Sequence, residues 1–329
     1  MDLSIIVPVY NVEEYLEECL KSIYKIEEIK YEVILVNDGS KDRSFEIMQE
    51  FKNMYGDRTI IIDKQNGGLS SARNAGLRIA QGKYVAFIDS DDFIDPNEFE
   101  KIVRKSTEFD LDIGIGNMRY YVPGRIGEPL FRSPRVKDLD VTTGVEFLWT
   151  AMQSPKCFRE EVVDDIYKRE FLIKNNLFFN ENIIHEDTEF TNLAYLRAQR
   201  VKFLNITFYF YRQREGSIMN KVSEKSVVSL ENICDTLFEE YKKSNDKHCK
   251  EALATLILSF YSTVVYKRYN GMGDYERAYE KYKEYYQVLK KDNHGGLESK
   301  LLSHSIFIPN FLRKLIGKEI TNVQKVPKF

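Results

Sequence analysis

Three carboxylates in four residues, Asp89-Ser90-Asp91-Asp92, follow the apolar run Lys83-Tyr84-Val85-Ala86-Phe87-Ile88. The run reads as a buried β-strand. The end of a core strand holds that much negative charge only where something positive meets it, and a divalent cation carrying a diphosphate meets the requirement. Hard cations take oxygen ligands, and Mg²⁺ commonly uses one or two carboxylates plus substrate phosphates. A solvated acidic turn ahead of a helix starting at Asp95-Pro96 is the plainer alternative.

Two more strand-like runs end in polar residues: the first in Pro8-Val9-Tyr10-Asn11 and the second in Asn37-Asp38-Gly39-Ser40. Open parallel α/β sheets bind ligands outside the carboxyl ends of their strands. Three such ends on one edge make a site suited to a nucleotide diphosphate. Asp38 can accept a hydrogen bond from a base N–H, which uracil offers. Asp89 can take ribose hydroxyls, and Asp91 a metal. The same Asp38-Gly39-Ser40 also makes an ordinary turn or helix cap.

A fourth piece is Asn66-Gly67-Gly68-Leu69-Ser70-Ser71-Ala72-Arg73-Asn74. Its paired glycines allow close backbone approach, and Ser70 or Ser71 is placed to cap the next helix. Arg73 then falls on the first turn, facing either a phosphate or base or solvent. The chain has no GxxxxGK[ST], and no GxGxxG follows the first strand, which excludes a P-loop and a dinucleotide fold.

Alternating strand-like and helix-like segments must position these groups. Strands are predicted at 3–9, 31–36, 59–62 and 84–88, with helices between them, which implies βαβ units and a mainly parallel sheet. Asp112–Asn117 and Val201–Tyr211 read as later strands. Residues 122–140 read as a loop, and 143–152 and 165–175 as helices. Helical spacing at 224–243, 247–268 and 274–291 predicts a helical C-terminal domain. The expected division is 1–220 for the nucleotide-binding, catalytic domain and 221–329 for the helical one.

The 329 residues carry a net charge of −3, and without a basic face a nucleic-acid partner is not expected. Cys19, Cys157, Cys234 and Cys249 are scattered without a CxxC pair, as expected of thiols in a reducing compartment. There is no secretory leader pattern, and the apolar stretch Ala252–Tyr266 is shorter than the roughly 20 residues of a membrane span. A cytoplasmic location is expected, free or at the inner face of the plasma membrane. The segment 296–329 has six Lys/Arg against two Asp/Glu. It reads either as an amphipathic membrane contact or as a docked terminal helix.

Residues 4–11 (SIIVPVYN), 35–40 (LVNDGS), 66–76 (NGGLSSARNAG) and 82–92 (GKYVAFIDSDD), in that order and spacing, resemble the family 2 glycosyltransferases of the GT-A fold. A looser resemblance runs to about residue 220, through Ile166–Leu172, His185-Glu186-Asp187 and Tyr211–Ser217. The pattern is similar to bacterial enzymes that build capsular, exopolysaccharide or lipopolysaccharide chains. The resemblance implies an inverting, metal-dependent, non-processive transfer from a UDP-sugar to a hydroxyl of a glycan or lipid-linked glycan. It places Pro8, Tyr10, Asn11, Asp38, Asn66, Gly67 and Arg73 around the nucleotide, with Asp89, Ser90 and Asp91 at ribose and metal, Mg²⁺ or Mn²⁺. Asp187 is the implied general base, with His185 and Glu186 beside it; capping of the helix that follows is its structural alternative. Arg212 and Arg214 would close over the diphosphate with Gly216 as hinge, or else lie on the surface. His185 is expected to be hydrogen-bonded rather than a metal ligand. The rival reading from another class is a non-catalytic module that binds a nucleotide sugar or glycan during polysaccharide assembly.

Overall fold

The computed structural model describes residues 1–130, 134–154, 159–213, 223–294 and 296–306. The chain forms two compact units. The first comprises Met1–Phe147, Lys156–Glu181 and Glu186–Arg214; the second comprises Leu148–Pro155, Asn182–His185 and Glu215–Phe329.

The first unit opens with β1 (Leu3–Val9), α1 (Glu13–Ile23), β2 (Tyr31–Asn37), α2 (Ser44–Tyr55), β3 (Thr59–Asp63), α3 (Leu69–Ile79) and β4 (Tyr84–Phe87). It continues through β5 (Phe93–Ile94), α4 (Pro96–Glu108), β6 (Ile113–Val122), β7 (Arg125–Leu130) and α5 (Gly144–Met152), whose last residues belong to the second unit. Then come β8 (Asp165–Lys168), α6 (Arg169–Lys174), α7 (Glu186–Arg197) and β9 (Val201–Arg212). The strands form one mixed sheet in the order β3-β2-β1-β4-β8-β6-β9-β5, with β7 on the side of β6. β3, β2, β1 and β4 run parallel. β8 is antiparallel to both β4 and β6, and β9 is parallel to β6.

Every residue of β1 and β2 is buried. That is why these strands read as continuous apolar runs without polar alternation: helices cover both faces. α3 lies close on β1. A Cβ on Gly76 would come within 2.5 Å of Ile6 Cγ2, so only glycine permits this approach.

Two sequence expectations are corrected. The stretch 122–140 is not all loop. Arg125–Leu130 pairs antiparallel with β6 across the Pro123-Gly124 turn, and the glycines and prolines masked its β-character. Asp165–Lys168 is a strand rather than a helix start, because tertiary pairing with Tyr84 and Val85 outweighs local spacing.

The second unit is built on α8 (Glu224–Lys243), α9 (Lys247–Tyr269), α10 (Tyr275–Leu289) and α11 (Leu297–His304). α8 buries Val227, Leu230, Ile233, Cys234, Leu237 and Tyr241, an i, i+3, i+4 stripe. α9 is buried over most of its circumference, which is why its sequence shows little polar face. Ser223, Asp246 and Asp274 cap the first three helices, accepting from Ser226, Cys249 and Arg277 backbone N–H groups. Among the described residues no helix is long and apolar enough to cross a membrane. Residues 307–329, most of the basic tail, lie outside the described residues.

Candidate active site

The sheet order brings the predicted strand ends together. β2, β1 and β4 are adjacent and parallel, so Tyr10-Asn11, Asp38–Ser40 and Asp89–Asp92 emerge on one edge. From β1 the chain winds outward to β2 and β3, then returns to β4 on the other side of β1. This reversal opens the crevice where doubly wound sheets bind ligands. The Asn11 backbone N–H donates to Ser40 Oγ at 3.2 Å, and Lys41 N–H donates to Asn11 Oδ1 at 2.8 Å, tying the first two ends together. Pro8 is buried under this edge, and Tyr10 stands 46% exposed on it.

Asp38 is buried and accepts three hydrogen bonds from the loop before α3. Lys64 Nζ donates at 2.6 Å and Gly67 N–H at 2.9 Å to Oδ1, and Gly68 N–H donates at 2.8 Å to Oδ2. Asn66 and Gly67 are exposed at the tip of that loop. The cap of α3 is Gly68, with φ at +87° and no side-chain hydrogen bond. Neither Ser70 nor Ser71 caps the helix, a correction to the sequence expectation: a left-handed Gly68 aims its amide at Asp38 instead.

Arg73 is the centre of the site and is only 1% exposed. It is the fifth residue of α3, not on its first turn, and it faces inward. Nη2 donates to Asp89 Oδ1 at 2.8 Å, while Nη1 donates to Glu186 Oε1 at 3.0 Å and to Asp187 Oδ1 at 2.5 Å. The guanidinium also lies over the Phe179 ring, 5.2 Å from its centroid. One residue of α3 thus joins the end of β4 to the start of α7. Burial opposes the charge on Arg73, but Asp187, Asp89 and Glu186 outweigh it, and the net effect raises its proton affinity.

Burial pushes the Asp187 carboxyl up to about 7; Arg73 pulls it down, and Glu186 and Asp89 push it further up. Among the described residues its second oxygen, Oδ2, meets only the Val162 N–H, at 3.4 Å. α7 begins at Glu186, so Asp187 does occupy a first helical turn where negative charge is favoured. The capping reading and the site reading describe the same residue.

Asp92, which looks equivalent to its neighbours in sequence, is a buried anchor. It accepts from Tyr209 Oη at 2.7 Å and from the Arg212 N–H at 2.7 Å. Burial, then Asp91 and Asp89, raise its proton affinity well above the ordinary carboxylate range. Tyr209 Oη in turn accepts from the Asp89 N–H at 3.2 Å. Arg212 Nε donates to the Asp91 carbonyl at 2.8 Å, and its Nη2 to Glu18 at 2.7 Å. The Arg212 guanidinium lies among the rings of Tyr15, Phe93 and Tyr121. The last strand therefore braces the acidic loop from behind. Ser90 is buried within that loop, and Arg214 and Gly216 lie outside the described residues.

The donor set suits a hard cation. When all are ionised, Asp89, Glu186 and Asp187 share a single buried guanidinium. Among the described residues no three His, Cys, Asp or Glu side chains converge as a ready-made metal cage. A cation here needs oxygens from a bound diphosphate, as Mg²⁺ sites commonly do. His185 turns away to Ser226 Oγ, 2.8 Å from its Nε2.

Sequence reasoning missed Lys64, Tyr209 and Glu18. Each acts on a site residue from another element, and no local spacing marks such a partner. Tyr209 alone carried a signal, as a tyrosine on the strand that ends at Arg212.

A parallel half-sheet with an acidic strand end at its switch point, completed by mixed strands, defines the GT-A class. Comparison with known proteins narrows it. Residues 4–157 match the model of glycosyl transferase family 2. The glycosyltransferase GlyG of Streptococcus pneumoniae is 32% identical over 238 residues, spanning 66% of this chain and 72% of its own length. The poly(ribitol-phosphate) beta-glucosyltransferase of Bacillus spizizenii is 28% identical over 67% of this chain and 34% of its own length. TarS of S. aureus, residues 1–349 in complex with UDP-GlcNAc, superposes with a TM-score of 0.69 at 24% identity, covering 97% of this chain and 88% of that one. The chain belongs to glycosyl transferase family 2. It spans under two thirds of some relatives, 62% of Bacillus subtilis EpsJ for one, at 35% identity.

Proposed function

We propose that this protein transfers a sugar from a UDP-sugar to a hydroxyl of a glycan or lipid-linked glycan, with inversion and one sugar per encounter, in the synthesis of a bacterial surface polysaccharide. The observation that carries the reading is the Arg73 bridge. It holds the strand-end carboxylate Asp89 and the semi-basic carboxylate Asp187 in one cluster. A nucleotide site alone does not require the second carboxylate; a displacement reaction does. The UDP-GlcNAc complex of TarS supports the donor class, and the name of the Bacillus spizizenii relative supports a surface-polymer acceptor.

Asp38 receives the base N–H in place of one of the three donors it now holds. Asp89 takes the ribose hydroxyls. Asp91, with Asp89, are the residues that would hold Mg²⁺ or Mn²⁺, which when bound neutralises charge on the leaving diphosphate. Asp187 Oδ2 accepts the acceptor hydroxyl proton as that oxygen bonds to the anomeric carbon. The bond from that carbon to the phosphate oxygen breaks, its electron pair leaves with UDP, and attack from the opposite face inverts the centre. Arg73 holds Asp187 Oδ1 and fixes the carboxylate's orientation throughout.

The test is Asp187→Asn, assayed by transfer and by UDP binding. A positioned base contributes ~10²–10⁴-fold, so kcat should fall on that scale with UDP affinity nearly unchanged. Near-normal turnover would remove Asp187 from the role. UDP-sugar hydrolysis that persists in the wild type and needs the divalent ion separates an enzyme from a sugar-binding module.

A further inference from the structure

The sheet itself ties the residue after β3 to the residue after β2. Asn37 pairs with Asp63 in the parallel register, and the Lys64 N–H donates to the Asn37 carbonyl at 3.0 Å. The next residues out, Asp38 and Lys64, therefore stand side by side. The Lys64 ammonium donates to Asp38 Oδ1 at 2.6 Å and to the Gln65 carbonyl at 2.8 Å. Two glycines make the space. Gly39, at φ +77°, lets the loop close in, since a Cβ there would lie 3.0 Å from the Asn66 nitrogen. A Cβ on Gly67 would lie 2.9 Å from Lys64 Nζ itself.

These contacts do not exhaust the pair. An ammonium has three protons, and a carboxylate oxygen two lone pairs. Among the described residues Lys64 Nζ uses two protons, and Asp38 Oδ2 accepts only from the Gly68 N–H. One donor and one acceptor remain on neighbouring groups. Of the three donors on Asp38, the two glycine amides are fixed by the loop. Lys64 carries its charge on a flexible four-carbon stem and is 23% exposed. It is the donor that can give way when a ligand N–H arrives. Its ammonium then needs a new acceptor within reach, or a charge-assisted bond is lost without replacement. A ring N–H beside a ring carbonyl supplies one. Standard amide bond lengths set those two atoms about 2.3 Å apart, close to the 2.6 Å between Nζ and Oδ1.

We infer that Lys64 is a specificity-determining residue for the nucleobase of the donor: Asp38 accepts the uracil N3–H while the Lys64 ammonium donates to a carbonyl flanking N3. The inference rests on the nucleotide reading of Asp38 given above. Cytosine presents the reverse pattern, a bare ring nitrogen beside an amine. That sets a lone pair against the carboxylate and a donor against the ammonium, and adenine does the same. Uracil has a carbonyl on each side of its N–H, whereas guanine has a carbonyl on one side and an amine on the other.

The experiment is calorimetric titration of the full chain with UDP, CDP, GDP, 2-thio-UDP and 4-thio-UDP. Ribose and diphosphate are common to all five, so affinity ratios report the nucleobase. Wild type should bind UDP ~100-fold or more tightly than CDP, which leaves both charged groups unpaired. Each thio analogue keeps the N3–H and weakens one carbonyl as an acceptor, and one of the two should bind ~3–10-fold more weakly than UDP. In Lys64→Met that thio penalty should vanish, and the UDP-to-CDP ratio should fall ~10-fold as one charge-assisted bond is lost. Lys64→Gln keeps a neutral donor and should restore part of the ratio, with thermal melts reporting that both variants fold. A purely structural role for Lys64 lowers affinity for every probe alike, and unchanged ratios overturn the inference. GDP binding as tightly as UDP overturns it as well. Equal binding of UDP and CDP by the wild type removes the nucleotide reading of Asp38 itself, whereas a full UDP preference surviving in Lys64→Met removes the role of Lys64 alone.

Discussion

Replacing Arg73 by methionine keeps the bulk of the side chain and removes the charge that three carboxylates share. Truncating one partner of a buried ion pair typically costs about 3–5 kcal/mol, because the other charge is left uncompensated. The Asp89 and Asp187 side chains are 26% and 25% exposed, so solvent screens part of the loss. The lower end, about 3 kcal/mol, is therefore expected, or roughly 6–12 °C in Tm for a unit of this size. The loss should also depend on pH. Asp187 already has a folded proton affinity raised to about 7, above that of an unfolded aspartate. A raised carboxyl contributes full stability below its unfolded value of ~3.9 and loses it as pH climbs through the folded value. Without Arg73 the larger of the two downward pulls on that value is gone and only the Val162 N–H remains among the named causes, so the penalty grows at alkaline pH and shrinks where Asp187 can protonate. Calorimetry of both proteins at about pH 5.5 and about pH 8 should show the larger Tm gap at the higher pH. An equal gap at both, or a loss under about 2 °C, refutes the claim that Arg73 compensates these carboxylates.

Four further outcomes are expected. The acid limb of kcat/KM should fall near pH 7, set by Asp187, and should vanish in Asp187→Asn when the residual activity is profiled. Tyr209→Phe should cost about 1–2 kcal/mol in urea unfolding, since Asp92 loses a buried donor and the Asp89 N–H its acceptor. Gly76→Ala should cost about 1–3 kcal/mol and lower kcat, because the new Cβ meets Ile6 and lifts α3, with Arg73, off β1. Exhaustive chelation of divalent ions should abolish transfer, with recovery on adding Mg²⁺ or Mn²⁺; full activity after chelation would remove the metal from the reading.

The strand-end half of this cluster was legible because one strand end supplies several polar residues in a row. Asp89–Asp92 and Asp38–Ser40 announce themselves by sitting where apolar runs stop, and the parallel order of β2, β1 and β4 does the rest. The roles within the cluster were less visible. Asp92 differs from Asp91 only through Tyr209 and Arg212, more than a hundred residues away. Arg73 read as a surface arginine in isolation because its compensating charges, Glu186 and Asp187, come from a distant segment. β8 was misread for a related reason. Four residues carry little periodicity, and only their neighbours in the sheet make them a strand.

The position of β8 also has a consequence for how the chain is made. β4 is complete at Phe87, yet the strand that covers its second edge, Asp165–Lys168, arrives about 80 residues later, after β6 has been synthesised. At roughly 5–20 residues per second of synthesis, the edge of β4 stays open on the ribosome for about 4–16 s. β6 is available to pair throughout that time, and it must leave a one-strand gap for β8 to enter. The nascent chain thus carries a wrong partner before the right one exists, and yield in the cell should respond to whatever shields that edge during the wait.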